Sequence, residues 1–241
     1  GFARGQGVDV EDLYTVETDK GEYLACEVFE PGRPAAELMP QILQGALEAL
    51  EFAQSMRWAS WSVRFARPVR WIVALLGGEV LELEFAGVTS AKTTHGHRFS
   101  APEPIEVESI EQYIDALTAA DVVVEPERRR ETIEALLQAQ AERAGGQVVD
   151  DPELLDEVVY LVEASHAVLV EFDEAYLELP DEVLISSMRS HQRYFSVADP
   201  ATGALLPACV VIYNTPVDDP SVVRAGNLRV LKARLDDARF F

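Results

Sequence analysis

A doubled glycine, Gly77-Gly78, sits between the arms RWIVALL (70–76) and EVLELEF (79–85), and it constrains this chain more than any other feature. Two glycines between β-favouring arms form a tight-hairpin signature, because the favoured two-residue turn needs positive φ at its centre. The second arm alternates, with Val80, Leu81, Leu83 and Phe85 set against Glu82 and Glu84. One face of the pairing is therefore expected to be wet. A second hairpin is expected from 13–18 and 22–29, which flank an Asp-Lys-Gly turn at 19–21.

Helical spacing then interrupts the strands. Leu38, Ile42, Leu43, Ala46, Leu47 and Leu50 recur at three- and four-residue steps and predict a helix over 35–53. Ser109 is placed to cap a short helix over 109–119. Pro126 opens a charged helix to about Ala144, closed by Gly145-Gly146. Asp151-Pro152 and Pro180 start two more, and residues 222–241 read as a terminal helix or helix pair. Strands are expected at 121–124, 166–172, 193–199 and 208–214. Hairpins mixed with helices, without a regular β-α-β-α rhythm, predict an α+β fold with mixed or antiparallel sheets and packed helices. The Pro-rich stretch at 102–104 divides the chain into expected subdomains, 1–102 and 103–241, which can pack as one unit.

Charge limits the partners. The 241 residues carry 42 acidic and 20 basic side chains, a net of −22, and only Lys20, Lys92 and Lys232 among the basic ones are Lys. Such a field opposes nonspecific binding to nucleic acid, where affinity comes from neutralising phosphates. Any RNA contact has to use a local Arg-rich patch. Apolar runs are too short to span a bilayer, so no membrane partner is expected. Cys26 and Cys209 stand far apart, outside any metal-like cluster, and are expected to be free thiols in a reducing cytoplasm. There is no phosphate-cradling Gly-rich loop with Lys, no GxSxG elbow and no CxxC motif, so no catalytic residue is assigned.

Six strings occur in order: MRW (56–58), FARPVRWIVALLG (65–77), TTHGHRFSAP (93–102), DPELLDEVVYLVE (151–163), LPDEVLISSMRSHQRYFSV (179–197) and AGNLRVLKARLDDARFF (225–241). Together they resemble the beta subunit of the bacterial heterotetrameric glycyl-tRNA synthetase. The resemblance implies an internal piece of that subunit, before its HD-like and anticodon-binding regions. It implies similarity in part to the editing-type domain of the phenylalanyl-tRNA synthetase beta subunit. It also implies a cytoplasmic enzyme whose partners are the alpha subunit and the tRNA for glycine. ATP and Mg²⁺ belong to the alpha subunit, with no cofactor in this piece. The expected role is non-catalytic support of ATP-dependent glycine attachment. Two alternatives stand beside it: an editing-like aminoacyl-tRNA hydrolase, or a purely structural interaction module.

Two clusters are candidates for tRNA contact. In His95-Gly96-His97-Arg98 the guanidinium of Arg98 can meet a phosphate. The histidines can instead bond backbone, or share a strand face as metal ligands. In Arg189, His191, Gln192, Arg193 and Tyr194, Arg and Gln can donate to phosphates or base edges, and Tyr can stack on a base. Basic residues at a helix C-terminus also simply complement its dipole. Arg70 and Trp71 belong to a run of interleaved cations and indoles (57–71) for which core packing of the indoles is expected over base stacking.

Overall fold

A computed structural model describes residues 1–240. The chain order is α1 (Phe2–Gln6), β1 (Tyr14–Thr18), β2 (Gly21–Ala25), α2 (Ala35–Ala49), β3 (Leu75–Leu76), β4 (Glu79–Val80), β5 (Glu84–Phe85), β6 (Val88–Thr89), β7 (Thr93–His95) and β8 (Pro104–Glu106). It continues through α3 (Ile110–Ala119), α4 (Pro126–Arg143), β9 (Gln147–Val148), α5 (Pro152–Val159), β10 (His166–Glu171), α6 (Asp181–Gln192), β11 (Phe195–Ala198), β12 (Leu205–Tyr213) and α7 (Pro220–Phe240). Every strand pair is antiparallel. The class is α+β, as the sequence predicts.

The centre is a four-stranded sheet in the order β10-β12-β11-β9. Its strands are apolar on successive residues because both faces are covered. On one face Leu169, Phe195, Val197 and Val210 meet Ile133, Leu137 and Ala141 of α4 and Leu154 and Val158 of α5. On the other, Val168, Val170, Cys209 and Val211 meet Leu184 and Met188 of α6 and Leu231 and Leu235 of α7. The alternation of neighbours such as Val168 and Leu169 between two cores is the two-residue period of a strand. Leu231 and Leu235 of the expected terminal helix are fully buried; the last residue of that helix, Phe241, lies outside the described residues. No helix among the described residues is long and apolar enough to cross a membrane.

The Gly-Gly hairpin forms, with Gly77 at φ 59° and Gly78 at φ 87° and Leu75 opposite Val80. Its ladder stops after two pairs. The expected long second arm bends at Glu84–Thr89 into another small hairpin, β5–β6, while Leu81, Leu83 and Phe85 are buried and Glu82 and Glu84 exposed. The hairpin expected from 13–18 and 22–29 forms over a shorter span, Tyr14–Thr18 pairing with Gly21–Ala25, with both strands largely solvent-facing. The expected strand at 121–124 is instead loop. Its carbonyls have no ladder partner; those of Val123 and Val124 accept from Arg129 Nη1, and Val123 N–H donates to Glu163 O at 2.9 Å. One guanidinium thus does locally what a neighbouring strand would do.

Candidate nucleic-acid interface

The candidate residues fall into two separate places. Arg189, His191, Gln192, Arg193 and Tyr194 lie at the end of α6, where Arg193 takes the left-handed conformation at φ 56° that stops the helix. Arg189 Nε donates to Asp151 Oδ2 at 2.6 Å and its Nη2 to Glu153 Oε2 at 2.9 Å. Arg193 Nε donates to Glu157 Oε1 at 2.7 Å. Both arginines therefore pin α6 to α5, across the edge of the central sheet. Tyr194 is buried, so protein already covers the ring face that a base would need. Its hydroxyl donates to Asn227 Oδ1 at 2.6 Å, and burial pushes its pKa up to about 12. Gln192 Oε1 lies 3.3 Å from the same hydroxyl, and His191 is exposed.

Asp151 joins this junction to the fold. Its Oδ1 accepts from Leu154 N–H at 2.9 Å as the cap of α5. Burial raises its pKa, but the bonds from Arg189 and Leu154 outweigh that and hold the carboxyl below its ordinary value of 3.8. A depressed folded-state pKa contributes stability above the unfolded value, and that stability is lost as pH falls through the folded one. Asp151→Ala is expected to cost about 0.5–2 kcal/mol near neutral pH and to cost progressively less as the pH drops through and below 3.8. Denaturant midpoints across that range check this; a cost that did not shrink in acid would contradict it.

Arg98 stands elsewhere, in the loop after β7. Gly96 is required there: a Cβ on it would meet Ala120 Cβ at 2.5 Å and Ala120 O at 2.8 Å, at the end of α3. That close approach lets His97 N–H donate to Ala120 O at 2.9 Å. The two histidines then diverge, which removes the shared face that a metal pair would need. His95 packs against Trp71 with ring centroids 4.7 Å apart. His97 is buried, with Nε2 3.1 Å from Asn214 Nδ2 and Nδ1 3.2 Å from Ser100 Oγ. Asn214 Oδ1 already accepts from the N–H groups of Glu163 (2.6 Å) and Ala164 (3.0 Å). Its amide nitrogen must therefore face the imidazole at Nε2, while Nδ1 lies 3.4 Å from the backbone nitrogens of Phe99 and Ser100, whose N–H groups point at it.

This knot fixes the walls of an open groove of about 790 Å³, lined among others by Arg70, Trp71, His95, Arg98, Tyr160 and Asn214. Arg70 and Arg98 are exposed, and among the described residues neither has a carboxylate within ion-pair distance, although Glu163 also lines the groove. Trp71 is 43% exposed, so the core packing expected for it is not what the structure shows. The sequence marks Arg98 and places Arg70 and Trp71 in a cation-indole run. Tyr160 and Asn214 carry no local signal, since only tertiary folding brings them there.

The family model described as "Glycyl-tRNA synthetase beta subunit" matches residues 1–241. The chain is 51% identical to the glycine–tRNA ligase beta subunit of Geobacter sulfurreducens over 241 residues, 48% identical to that of Syntrophotalea carbinolica and 46% to that of Moorella thermoacetica. Each match covers 100% of this chain and 35% of the relative, so the chain spans about a third of the length of these curated relatives.

Proposed function

The chain belongs to the glycyl-tRNA synthetase beta-subunit family, and from that premise we propose that it supports ATP-dependent attachment of glycine to tRNA by holding part of the tRNA and shaping its subunit. Glycine activation, with its ATP and Mg²⁺, is the work of the alpha subunit, with which the beta subunit assembles into a cytoplasmic heterotetramer. The observation that carries the tRNA contact is the division of labour among the arginines. Arg189 and Arg193 spend their charge on Asp151, Glu153 and Glu157. Arg70 and Arg98 line a groove with their guanidiniums unneutralised, in a chain of net charge −22. In so acidic a field, positive charge left open to solvent on the wall of a groove attracts an anion; Arg229, Lys232 and Arg234 of α7 are also exposed without an ion pair among the described residues, but they do not line this groove.

Kinetics of the assembled full-length enzyme test this. Arg98→Glu is expected to raise KM for tRNA by about tenfold, the loss of one charge-assisted contact of roughly 1.5 kcal/mol. Glycine-dependent exchange of pyrophosphate into ATP, which needs no tRNA, should stay unchanged. An unaltered KM for tRNA together with impaired exchange would reverse the assignment.

A further inference from the structure

The groove at Arg98 has more than positive charge. Trp71 is half-exposed, and its indole is also part of a second, apolar depression of about 440 Å³ lined by Val73, Ile110 and Tyr113. Tyr160, 72% exposed, lines the basic side. Exposed aromatic rings thus stand beside guanidiniums that have no carboxylate partner among the described residues, Arg98 lying 6.0 Å from the centroid of the Phe99 ring. Duplex RNA has little use for such rings: its bases are stacked inside, and it presents phosphates and 2′-hydroxyls over a wide, shallow surface. An unpaired strand presents ring faces and phosphates in alternation, the pairing of groups that an aromatic-and-arginine groove accepts. His95, packed against Trp71 at 4.7 Å, restrains the indole beforehand, so less motion is lost when a base stacks on it.

We infer that this groove takes an unpaired stretch of tRNA, with bases stacked on Trp71 and Tyr160 and phosphates held by Arg70 and Arg98. Such binding presupposes the tRNA contact proposed above and specifies which chemical form of RNA is held.

The test uses the full-length beta subunit assembled with its alpha partner. The probe is a labelled, unstructured oligoribonucleotide of about 12 nucleotides, compared with the same strand annealed to its complement. Single strand should bind more tightly than duplex. Trp71→Leu, which keeps an apolar wall, should weaken single-strand binding by about 5- to 150-fold with an unchanged salt slope. Tyr160→Ala, at a well exposed position, should weaken it in the same sense without disturbing the fold. Replacing Arg70 and Arg98 together by Ala should reduce the slope of log affinity against log salt by about 1.4, roughly 0.7 for each phosphate on a single strand. Duplex bound as tightly as single strand would overturn the inference, as would single-strand affinity indifferent to all these changes. If Arg98→Glu still raised KM for tRNA in that second case, the tRNA contact would stand and only its unpaired character would fall.

Discussion

Phe195→Ala is expected to lower the free energy of unfolding by about 3–5 kcal/mol, the range for truncating a buried aromatic residue. Phe195 is 2% exposed on β11, an interior strand held by β12 on one side and β9 on the other. Its ring fills the layer between the sheet and α4–α5, among Ile133, Leu137, Val158 and Val210. Hydrogen-bonded strands on both sides limit collapse into the vacated space, so the cavity term remains large. Chemical denaturation measures the change. Val222→Ala, at a 69% exposed position, should shift stability by no more than about 0.5 kcal/mol. Equal effects at the two positions would mean that the sheet is not the principal core.

Asn214→Ala is expected to cost about 2–4 kcal/mol, because it strands three groups at once. The N–H groups of Glu163 and Ala164 lose their acceptor, and His97 Nε2 loses its donor. The same change unties the walls of the groove, so tRNA affinity should fall with stability. Asn214→Asp should cost less. Its two oxygens still accept from both N–H groups, and an imidazole with its proton on Nε2 can donate to the carboxylate while Nδ1 accepts from the N–H groups of Phe99 and Ser100. Denaturation and tRNA binding of both variants check this; a cost for Asp equal to that for Ala would show that the donor identity at 214, rather than the bonding pattern, is what matters.

Much of the fold is legible in sequence where the physics is local. Ser109 and Asp151 as caps, Pro126 at a helix start and the Gly77-Gly78 turn act through their own backbone neighbourhood. The runs in β10 and β12 are readable because strands covered on both faces are apolar throughout. The stretch 121–124 has the same β-favouring composition, and its fate is decided by Arg129, several residues on, which occupies its carbonyls. No periodicity encodes that. The expected arm at 79–85 keeps its alternation yet loses its ladder, since burial of Leu81, Leu83 and Phe85 survives the bend at Ala86-Gly87.

The candidate site follows the same rule. Arginine-rich strings draw equal notice at Arg98 and at Arg189–Arg193, and only folding separates them. Asp151, Glu153 and Glu157, some 36 to 38 residues from their partners, neutralise the second cluster. Nothing comparable reaches Arg70 or Arg98. Asn214 lies 117 residues from His97, to which it bonds, so the knot that shapes the groove is a tertiary fact.

The most direct test is photocrosslinking in the assembled, full-length enzyme, with a photoreactive side chain at position 98 or, as control, at position 202 in the exposed turn before β12. Crosslinking of tRNA is expected from position 98, competed away by unlabelled tRNA for glycine, and none from position 202. No crosslink from position 98 with the enzyme saturated by tRNA would contradict it.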